Sequence, residues 1–167
     1  MVRFDPDALL AALPRREIRP FGPEVVVRSV KRRPEPEGSA LSLDGSYNGF
    51  SARERYRTAD LSNWLAKMGC TERPAACDIC HAPAHDEHAE DYYDLGAWIG
   101  LCRRCHRSSL HGRFARQAVW AALLDECELP DSHWARLVSP EPFDLAALQR
   151  SRGRLEPIKA DYAAKAR

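Results

Sequence analysis

The chain has 167 residues, enough for one domain or for a small domain with helical extensions. Its formal net charge of +1 excludes a general electrostatic attraction to nucleic acid, so any such contact must depend on local clusters of charge. No apolar run approaches the about 20 residues that span a bilayer. The N-terminal residues lack the apolar stretch of a secretory signal. We therefore expect a cytoplasmic protein with no membrane contact.

Residues 1–50 predict a helix, a strand and a linker. Asp5 and Pro6 are typical of the N-cap and the first residue of a helix. Residues 25–30 have the density of β-branched side chains that favours a strand. The charged and proline-rich residues 31–39 indicate a solvated linker.

Residues 51–70 predict a second helix. Ser51 and Glu54 stand at the two positions of a capping box. Gly69 is typical of the residue that follows a helix. Apolar residues at helical spacing should form the buried side of this helix, and they are Leu61, Trp64, Leu65 and Met68.

Two Cys-x-x-Cys pairs mark the centre of the chain, in a module that we place at residues 74–127. Each short pair can direct two thiolates at one ion, and four sulfurs suit a tetrahedral Zn²⁺. Four thiolates leave no open coordination position, so this zinc would be structural. The predicted ligands are Cys77, Cys80, Cys102 and Cys105.

The residues between and after the cysteine pairs predict a hairpin followed by a helix. The polar residues 83–90 precede a turn, the apolar residues 97–101 favour a second strand, and the chain from Arg103 onward is compatible with a helix. A zinc ion at the base would pin this ββα unit. With a helix at 113–126 and a helical extension over 128–167, we predict an α+β fold with helices flanking the module.

Five of the six histidines lie close to the cysteines, although a four-cysteine zinc site does not need them. Glu87, His106 and His111 are candidates to hold a catalytic divalent ion such as Mg²⁺, Mn²⁺ or Ni²⁺. His88 would then deprotonate the water that attacks phosphorus, since a neutral imidazole suits that task near pH 7. In a regular α-helix, five-residue spacing turns His111 about 100° beyond the i+4 position relative to His106.

The order of these cysteines and histidines resembles the zinc-containing branch of the HNH endonucleases, over about residues 74–120. The resemblance implies a ββα-metal fold and metal-dependent hydrolysis of DNA phosphodiester bonds. It implies that His88 is the general base and that Glu87, His106 and His111 hold the catalytic ion. The family's middle asparagine falls near Ala97. Two short segments carry much of the likeness, His88-Ala89-Glu90-Asp91-Tyr92 and Leu110-His111-Gly112-Arg113-Phe114.

Arginines after the second cysteine pair supply local positive charge that could meet DNA phosphates. The same charges could instead neutralise the acidic residues of the hairpin, and the sequence favours neither reading. Two alternatives to an active nuclease therefore stay open: a catalytically inactive, zinc-stabilised module that binds nucleic acid, and an adaptor that binds another protein. The candidate DNA-binding residues are Arg103, Arg104, Arg107 and Arg113.

Overall fold

A computed structural model of the chain describes residues 4–20 and 45–157. Helices and a two-stranded sheet form a mixed structure, which confirms the predicted α+β class. The helices are α1 (Pro6–Ala12), α2 (Ala52–Lys67), α3 (Gln117–Glu126), α4 (Trp134–Leu137) and α5 (Leu145–Ser151); the strands are β1 (Asp86–Ala89) and β2 (Trp98–Leu101), and a π-helical segment (Arg104–Leu110) follows β2.

The antiparallel hairpin of β1 and β2 positions the centre of the molecule. His88 pairs with Ile99, and Glu87 pairs with Gly100. Successive side chains of a strand point to opposite faces, so Asp86 and His88 share one face and Glu87 lies on the other. All four residues of β2 are buried, and the hairpin is therefore anchored through its second strand.

The chain after β2 winds into a π-helix rather than an α-helix. The backbone N–H of His111 donates to the carbonyl of His106 at 3.1 Å, which closes a turn that spans five residues. Such turns are rare and concentrate at functional sites. In this wider turn, residues five apart lie nearly above one another, which a regular α-helix does not allow.

Two hydrophobic clusters hold these elements together. The larger one joins the hairpin, the π-helical segment and α3 to α1 and α4, with Leu9, Ile99 and Trp134 at its centre. Burying such a side chain contributes roughly 1.5–3 kcal/mol. The smaller cluster packs α5 against the residues around Phe50 and Tyr93. The larger cluster thus holds the hairpin, and the smaller one holds the turn that connects its strands.

The caps predicted for the first two helices are confirmed. The Asp5 carboxylate accepts from the backbone N–H of Asp7, and Pro6 is the first residue of α1. At the start of α2, the Ser51 hydroxyl accepts from the N–H of Glu54, and the Glu54 carboxylate accepts from the N–H of Ser51. The capping box therefore fixes where α2 begins.

The side of α2 that faces the hairpin is more polar than predicted. Leu65 is buried, but Met68 forms the C-cap and is 41% exposed, so its predicted place in the buried stripe is wrong. Thr58 and Ser62 are buried instead, and their hydroxyls donate hydrogen bonds to the hairpin and its connecting turn. Buried hydroxyl groups are tolerated here because each one has an acceptor.

The helix predicted at 113–126 begins later, at Gln117. Residues 111–115 form turns instead, in which the backbone N–H of Arg113 donates to the carbonyl of Leu110 at 3.3 Å. The predicted strand at 25–30 and linker at 31–39 lie outside the described residues, as does the end of the extension from residue 158 onward. Among the helices that the structure describes, none has the length and apolar character needed to cross a membrane.

Candidate metal centres

The four cysteines of the two pairs converge as their spacing predicts. Their Sγ atoms all lie within 4.8 Å of one another. The Sγ atoms of Cys80 and Cys102 are 3.7 Å apart, whereas a tetrahedral ion with Zn–S bonds of about 2.3 Å separates its sulfurs by about 3.8 Å. All six cysteines of the chain are free thiols. The cluster is therefore compatible with a structural zinc ion held by Cys77, Cys80, Cys102 and Cys105.

Backbone turns prepare these thiols for a cation. The N–H of His81 donates to the carbonyl of Cys77 at 2.9 Å, and His81 adopts a positive φ of 60° to close that turn. The hydrogen bond from the Cys105 thiol lowers the pKa of Cys77 to about 4 against the opposing effect of burial, with help from nearby backbone N–H groups. A thiolate is the form that binds metal.

Three histidines converge on a second point beside the cysteine cluster. One ring nitrogen from each of His88, His106 and His111 lies within 4.8 Å of the others. His88 Nδ1 and His106 Nε2 are 3.1 Å apart, and His106 Nε2 and His111 Nε2 are 2.9 Å apart. Nitrogens around a tetrahedral Zn²⁺ with bonds of 2.0–2.1 Å would be about 3.3 Å apart. The spacing of these nitrogens is therefore close to that of a metal site.

Two carboxylates determine which ring nitrogens carry hydrogen. His88 Nε2 lies 2.9 Å from Glu90 Oε1, and His106 Nδ1 lies 2.9 Å from Asp86 Oδ2. An ionised carboxylate can only accept, so the facing nitrogen must donate. His88 Nδ1 and His106 Nε2 are then the lone-pair nitrogens of their neutral rings. Lone pairs at 3.1 Å repel unless a cation lies between them, and one ion can satisfy three converging nitrogens at once.

The pKa values of these groups agree with that assignment. Burial opposes ionisation of Glu90, but the hydrogen bond from His88 and the positive charge of Arg113 lower its pKa to about 2. Burial also opposes ionisation of Asp86, and its contacts with His106 outweigh it and lower its pKa. Burial lowers the pKa of His106. Both carboxylates are therefore ionised near neutral pH, and the His106 ring is uncharged.

The exposed side of the histidine cluster belongs to His111. Its ring is the most exposed of the three, while its Nε2 faces inward. Desolvation of the ring, and the repulsion that a protonated His88 or His106 would exert on a protonated His111, lower its pKa to about 3. A neutral ring keeps its lone pair available. The cluster thus has a closed side at His88 and an open side at His111.

The π-helix explains how His106 and His111 meet. A spacing of five residues would turn them apart in an α-helix, but the π-helical turn between them brings both rings to one side. The ring centroids are 4.6 Å apart. The unusual spacing in the sequence is thus matched by an unusual helix.

Glu87, predicted as a metal ligand, lies elsewhere. It is the neighbour of His88 on β1, so its side chain points to the opposite face of the hairpin. There its carboxylate accepts from Ser62 Oγ at 3.0 Å and pairs with Arg16 at 3.4 Å. Glu87 therefore links the hairpin to α2 and to the N-terminal segment. The side chain that converges with His106 and His111 is His88 and not Glu87.

His88 is also placed differently from its predicted role as general base. It is 2% exposed, and its two ring nitrogens face Glu90 on one side and His106 on the other. A general base needs a nitrogen within reach of the proton that it removes. The geometry of His88 is that of a metal ligand. Ala97, near the asparagine position of the resemblance, is buried in the main core.

The four arginines predicted to bind DNA fall into two groups. Arg103, Arg104 and Arg107 are exposed on and beside the π-helical segment. Arg113 is only 1% exposed, so its predicted contact with phosphate is wrong. Its guanidinium instead donates to the Tyr47 hydroxyl and to the carbonyl of Ser139. A buried cation needs such partners because it has left water.

The groups that support the histidines were missed by sequence reasoning. Asp86 and Glu90 could have been found, because strand alternation gives residues 86, 88 and 90 the same face. Tyr47 and Asn48 contact Glu90 from about 40 residues away in sequence, and no local sequence pattern predicts that contact.

Among residues 4–20 and 45–157, these two clusters are the groups of at least three cysteine, histidine or acidic side chains that converge closely enough to hold a metal ion. One is closed and made of sulfur, and the other is open and made of nitrogen. Comparisons with family models, with curated proteins and with solved structures gave no match to this chain.

Proposed function

We propose that the chain is a metal-dependent DNA endonuclease of the HNH type, with a ββα-metal module pinned by a four-cysteine zinc. The observation that carries the proposal is the convergence of three imidazole nitrogens on one point beside the cysteine cluster. The order of hairpin, cysteine pair and helical turn around that point agrees with the resemblance in the sequence. The ions concerned are one structural Zn²⁺ and one catalytic divalent ion.

The donors of the histidine cluster favour some ions over others. Three imidazoles suit Zn²⁺, Ni²⁺ and related transition metals, whereas Mg²⁺ prefers carboxylate, carbonyl and water oxygens. The two carboxylates at this site bond to ring nitrogens, an arrangement that orients histidine ligands and increases their basicity. Within the series Mg²⁺, Mn²⁺ and Ni²⁺, we therefore expect Ni²⁺ to bind most tightly.

Different residues around the site would bind the metal ion and the DNA backbone. His88, His106 and His111 would hold the ion, which when bound would polarise a phosphoryl oxygen and activate water for attack on phosphorus. His111 leaves the outer side of the cluster open to a substrate. Arg107 lies beside Asp86, with 3.5 Å between Nε and Oδ2, and its side chain is 72% exposed. It is well placed to bind the phosphate backbone next to the ion.

A catalytically inactive module that binds nucleic acid is the second candidate. It is favoured by the engagement of both His88 ring nitrogens, which leaves the predicted general base without a free nitrogen. Such a module would keep both metal sites and the exposed arginines. It would bind DNA with the salt dependence of phosphate contacts but would leave the strands intact.

Nicking of supercoiled plasmid distinguishes the two. The full chain is incubated with Ni²⁺, Mn²⁺ or Mg²⁺, then with a chelator, beside His106→Ala and the control Glu87→Gln. We expect nicking that the chelator stops, that is lost in His106→Ala and that persists in Glu87→Gln, because Glu87 faces away from the cluster. Nicking that survives in His106→Ala would contradict the assignment. Salt-dependent DNA binding without nicking by the wild type would establish the second candidate.

A further inference from the structure

We propose that Glu90 is the positioning residue of the histidine cluster: it fixes the tautomer of His88 and so aims the Nδ1 lone pair at the metal. The inference rests on the proposed catalytic metal site but concerns a residue that does not touch the ion. Glu90 is 1% exposed and lies two residues after His88, on the same face of the hairpin. A carboxylate is rarely buried this deeply without partners that require its charge.

The side chains around the Glu90 carboxylate are hydrogen-bond donors and one cation. Oε1 lies 2.9 Å from His88 Nε2 and accepts from the Tyr47 hydroxyl at 2.6 Å. Oε2 accepts from Asn48 Nδ2 at 2.6 Å and lies 3.9 Å from the Arg113 guanidinium. Each oxygen thus has one strong donor and one further contact. The two oxygens are held in different surroundings, and the carboxylate has little freedom to turn.

The Glu90 carboxylate determines which ring nitrogen of His88 carries the hydrogen. Because Oε1 can only accept, His88 Nε2 must carry a hydrogen, and its neutral ring then has its lone pair on Nδ1. That nitrogen is the one that lies 3.1 Å from His106 Nε2. The opposite tautomer would place a hydrogen between the rings and remove one metal ligand. The choice of tautomer therefore decides whether His88 can bind.

The support for Glu90 comes from separate parts of the chain. Tyr47 and Asn48 lie in the turn before α2, and the Tyr47 ring packs edge-on against both His88 and His111. Arg113 donates to the Tyr47 hydroxyl at 3.0 Å and to the carbonyl of Leu110 at 2.9 Å. These hydrogen bonds connect the end of the π-helical segment to the Glu90 carboxylate, which fixes the tautomer of His88.

The variant Glu90→Gln tests the tautomer directly, since it keeps the shape and changes one acceptor into a donor. The glutamine amide oxygen should turn toward Asn48, whose NH₂ group can only donate, because the Tyr47 hydroxyl on the other side can accept as well as donate. The glutamine NH₂ group then faces His88 Nε2. His88 Nε2 must then accept, and the hydrogen moves to Nδ1. We expect the affinity for Co²⁺ at the histidine cluster to fall about 10- to 100-fold.

A second substitution should reverse the effect. In Glu90→Gln with Asn48→Asp, the new carboxylate accepts from the glutamine NH₂ group, so the amide oxygen faces His88 again. Asn48 has a φ of 50°, a conformation that aspartate tolerates as well as asparagine does. We expect Co²⁺ affinity to return to within a few-fold of wild type. A role in folding alone would not predict that rescue.

The measurements use the full chain with one equivalent of zinc, which occupies the thiolates first. Cobalt bound by imidazoles lacks the intense sulfur charge-transfer absorption, so titration with Co²⁺ reports on the histidine cluster separately. Nitrogen-15 spectra of the imidazoles, recorded before Co²⁺ is added, give the tautomer of His88. The matched control is Asp91→Asn, since Asp91 is buried beside Glu90 in sequence but bonds to Gln149 and not to a histidine.

The outcomes separate this inference from the proposed function. A wild-type protein that binds no Co²⁺ beyond the thiolates would remove the metal site itself. Wild-type binding with an unchanged affinity and tautomer in Glu90→Gln would overturn the role of Glu90 and leave the metal site standing. Equal losses in Glu90→Gln, in the double variant and in Asp91→Asn would also overturn it, because they would indicate general destabilisation.

Discussion

The cysteine cluster and the histidine cluster lie next to each other, joined through the bond between Cys105 and His106, yet they are built in opposite ways. The cysteine cluster comes from two short turns, each of which delivers two sulfurs by its own local geometry. The histidine cluster draws one residue from β1, one from the π-helical segment and one from the position directly after that segment. The rings of His88 and His106 are oriented by the carboxylates of Glu90 and Asp86.

The two clusters are therefore related to the fold in different ways. We expect the cysteine cluster to stabilise the fold, whereas the histidine cluster needs the fold to position its rings. Four thiolates saturate a tetrahedral ion, so the cysteine cluster can stabilise but offers no open position to a substrate. Three imidazoles leave positions open, and they depend on hydrogen-bond partners to aim them. We therefore expect damage to the first cluster to unfold the module, and damage to the second to remove metal binding from a folded protein.

The largest effect should follow from removing one thiolate. Cys102→Ser should release the zinc and unfold the region of the hairpin, because structural zinc sites of this kind contribute about 10–16 kcal/mol in apparent binding free energy. Elemental analysis of protein purified without added metal should show the loss of the zinc that the cysteines hold, about one ion per chain. The dispersion of amide signals in NMR spectra should collapse for the residues of the hairpin.

Cys127→Ser is the matched control for that experiment. Cys127 is partly buried against the same core but lies outside the four-sulfur cluster. We expect it to keep its zinc and its fold. A Cys102→Ser protein that stays folded without zinc would contradict the structural role of the cluster.

The π-helix offers a smaller test, specific to the histidine cluster. Deleting the exposed Ser108 brings His106 and His111 to a spacing of four, which an ordinary α-helical turn places on one side. We expect Co²⁺ affinity at the histidines to stay within about tenfold of wild type. Inserting one alanine after Ser108 should cost about 100-fold or more, the upper range seen when the orientation of metal ligands is lost.

Titration with Co²⁺ and far-UV circular dichroism measure binding and fold for both variants. The insertion is matched to the deletion, because both change the length of the π-helical segment by one residue at the same place. If deletion abolishes binding while the insertion keeps it, the π-helical turn is not what aligns the two histidines. The zinc at the cysteines should stay bound in both cases.

Sequence patterns predicted the cysteine cluster well because its geometry is local. A Cys-x-x-Cys pair fixes the distance between its own sulfurs, and the predicted hairpin between the two pairs brings Cys77 and Cys80 to Cys102 and Cys105. The caps of α1 and α2 were predictable for the same reason, since Asp5, Ser51 and Glu54 bond to residues two or three positions away.

The histidine cluster was only partly predictable, because its geometry depends on strand parity and on distant contacts. Glu87 was chosen for its place before His88, although neighbours on a strand point to opposite faces. Arg113 was grouped with the exposed arginines, although its guanidinium is fully engaged by Tyr47, Leu110 and Ser139. Neither burial nor those partners leaves a sign in the sequence around Arg113.

The smallest effect that we expect is a change in the salt dependence of DNA binding. It tells whether DNA lies against the histidine cluster or against the cysteine cluster. Arg104 and Arg107 are both exposed and each has a carboxylate neighbour. Arg104 pairs with Glu126 of α3, while Arg107 lies beside Asp86 at the histidine cluster.

If phosphates approach the open histidine side, Arg107→Ala should lower the slope of log affinity against log salt by about one, without abolishing binding. Arg104→Ala should leave that slope nearly unchanged, because Arg104 pairs with Glu126 of α3 and would make no phosphate contact at the histidine side. Fluorescence anisotropy with labelled duplex DNA and no added divalent ion measures both slopes without cleavage. A larger change in Arg104→Ala would place the DNA against the cysteine side, and the open face of the histidine cluster would then need a different substrate.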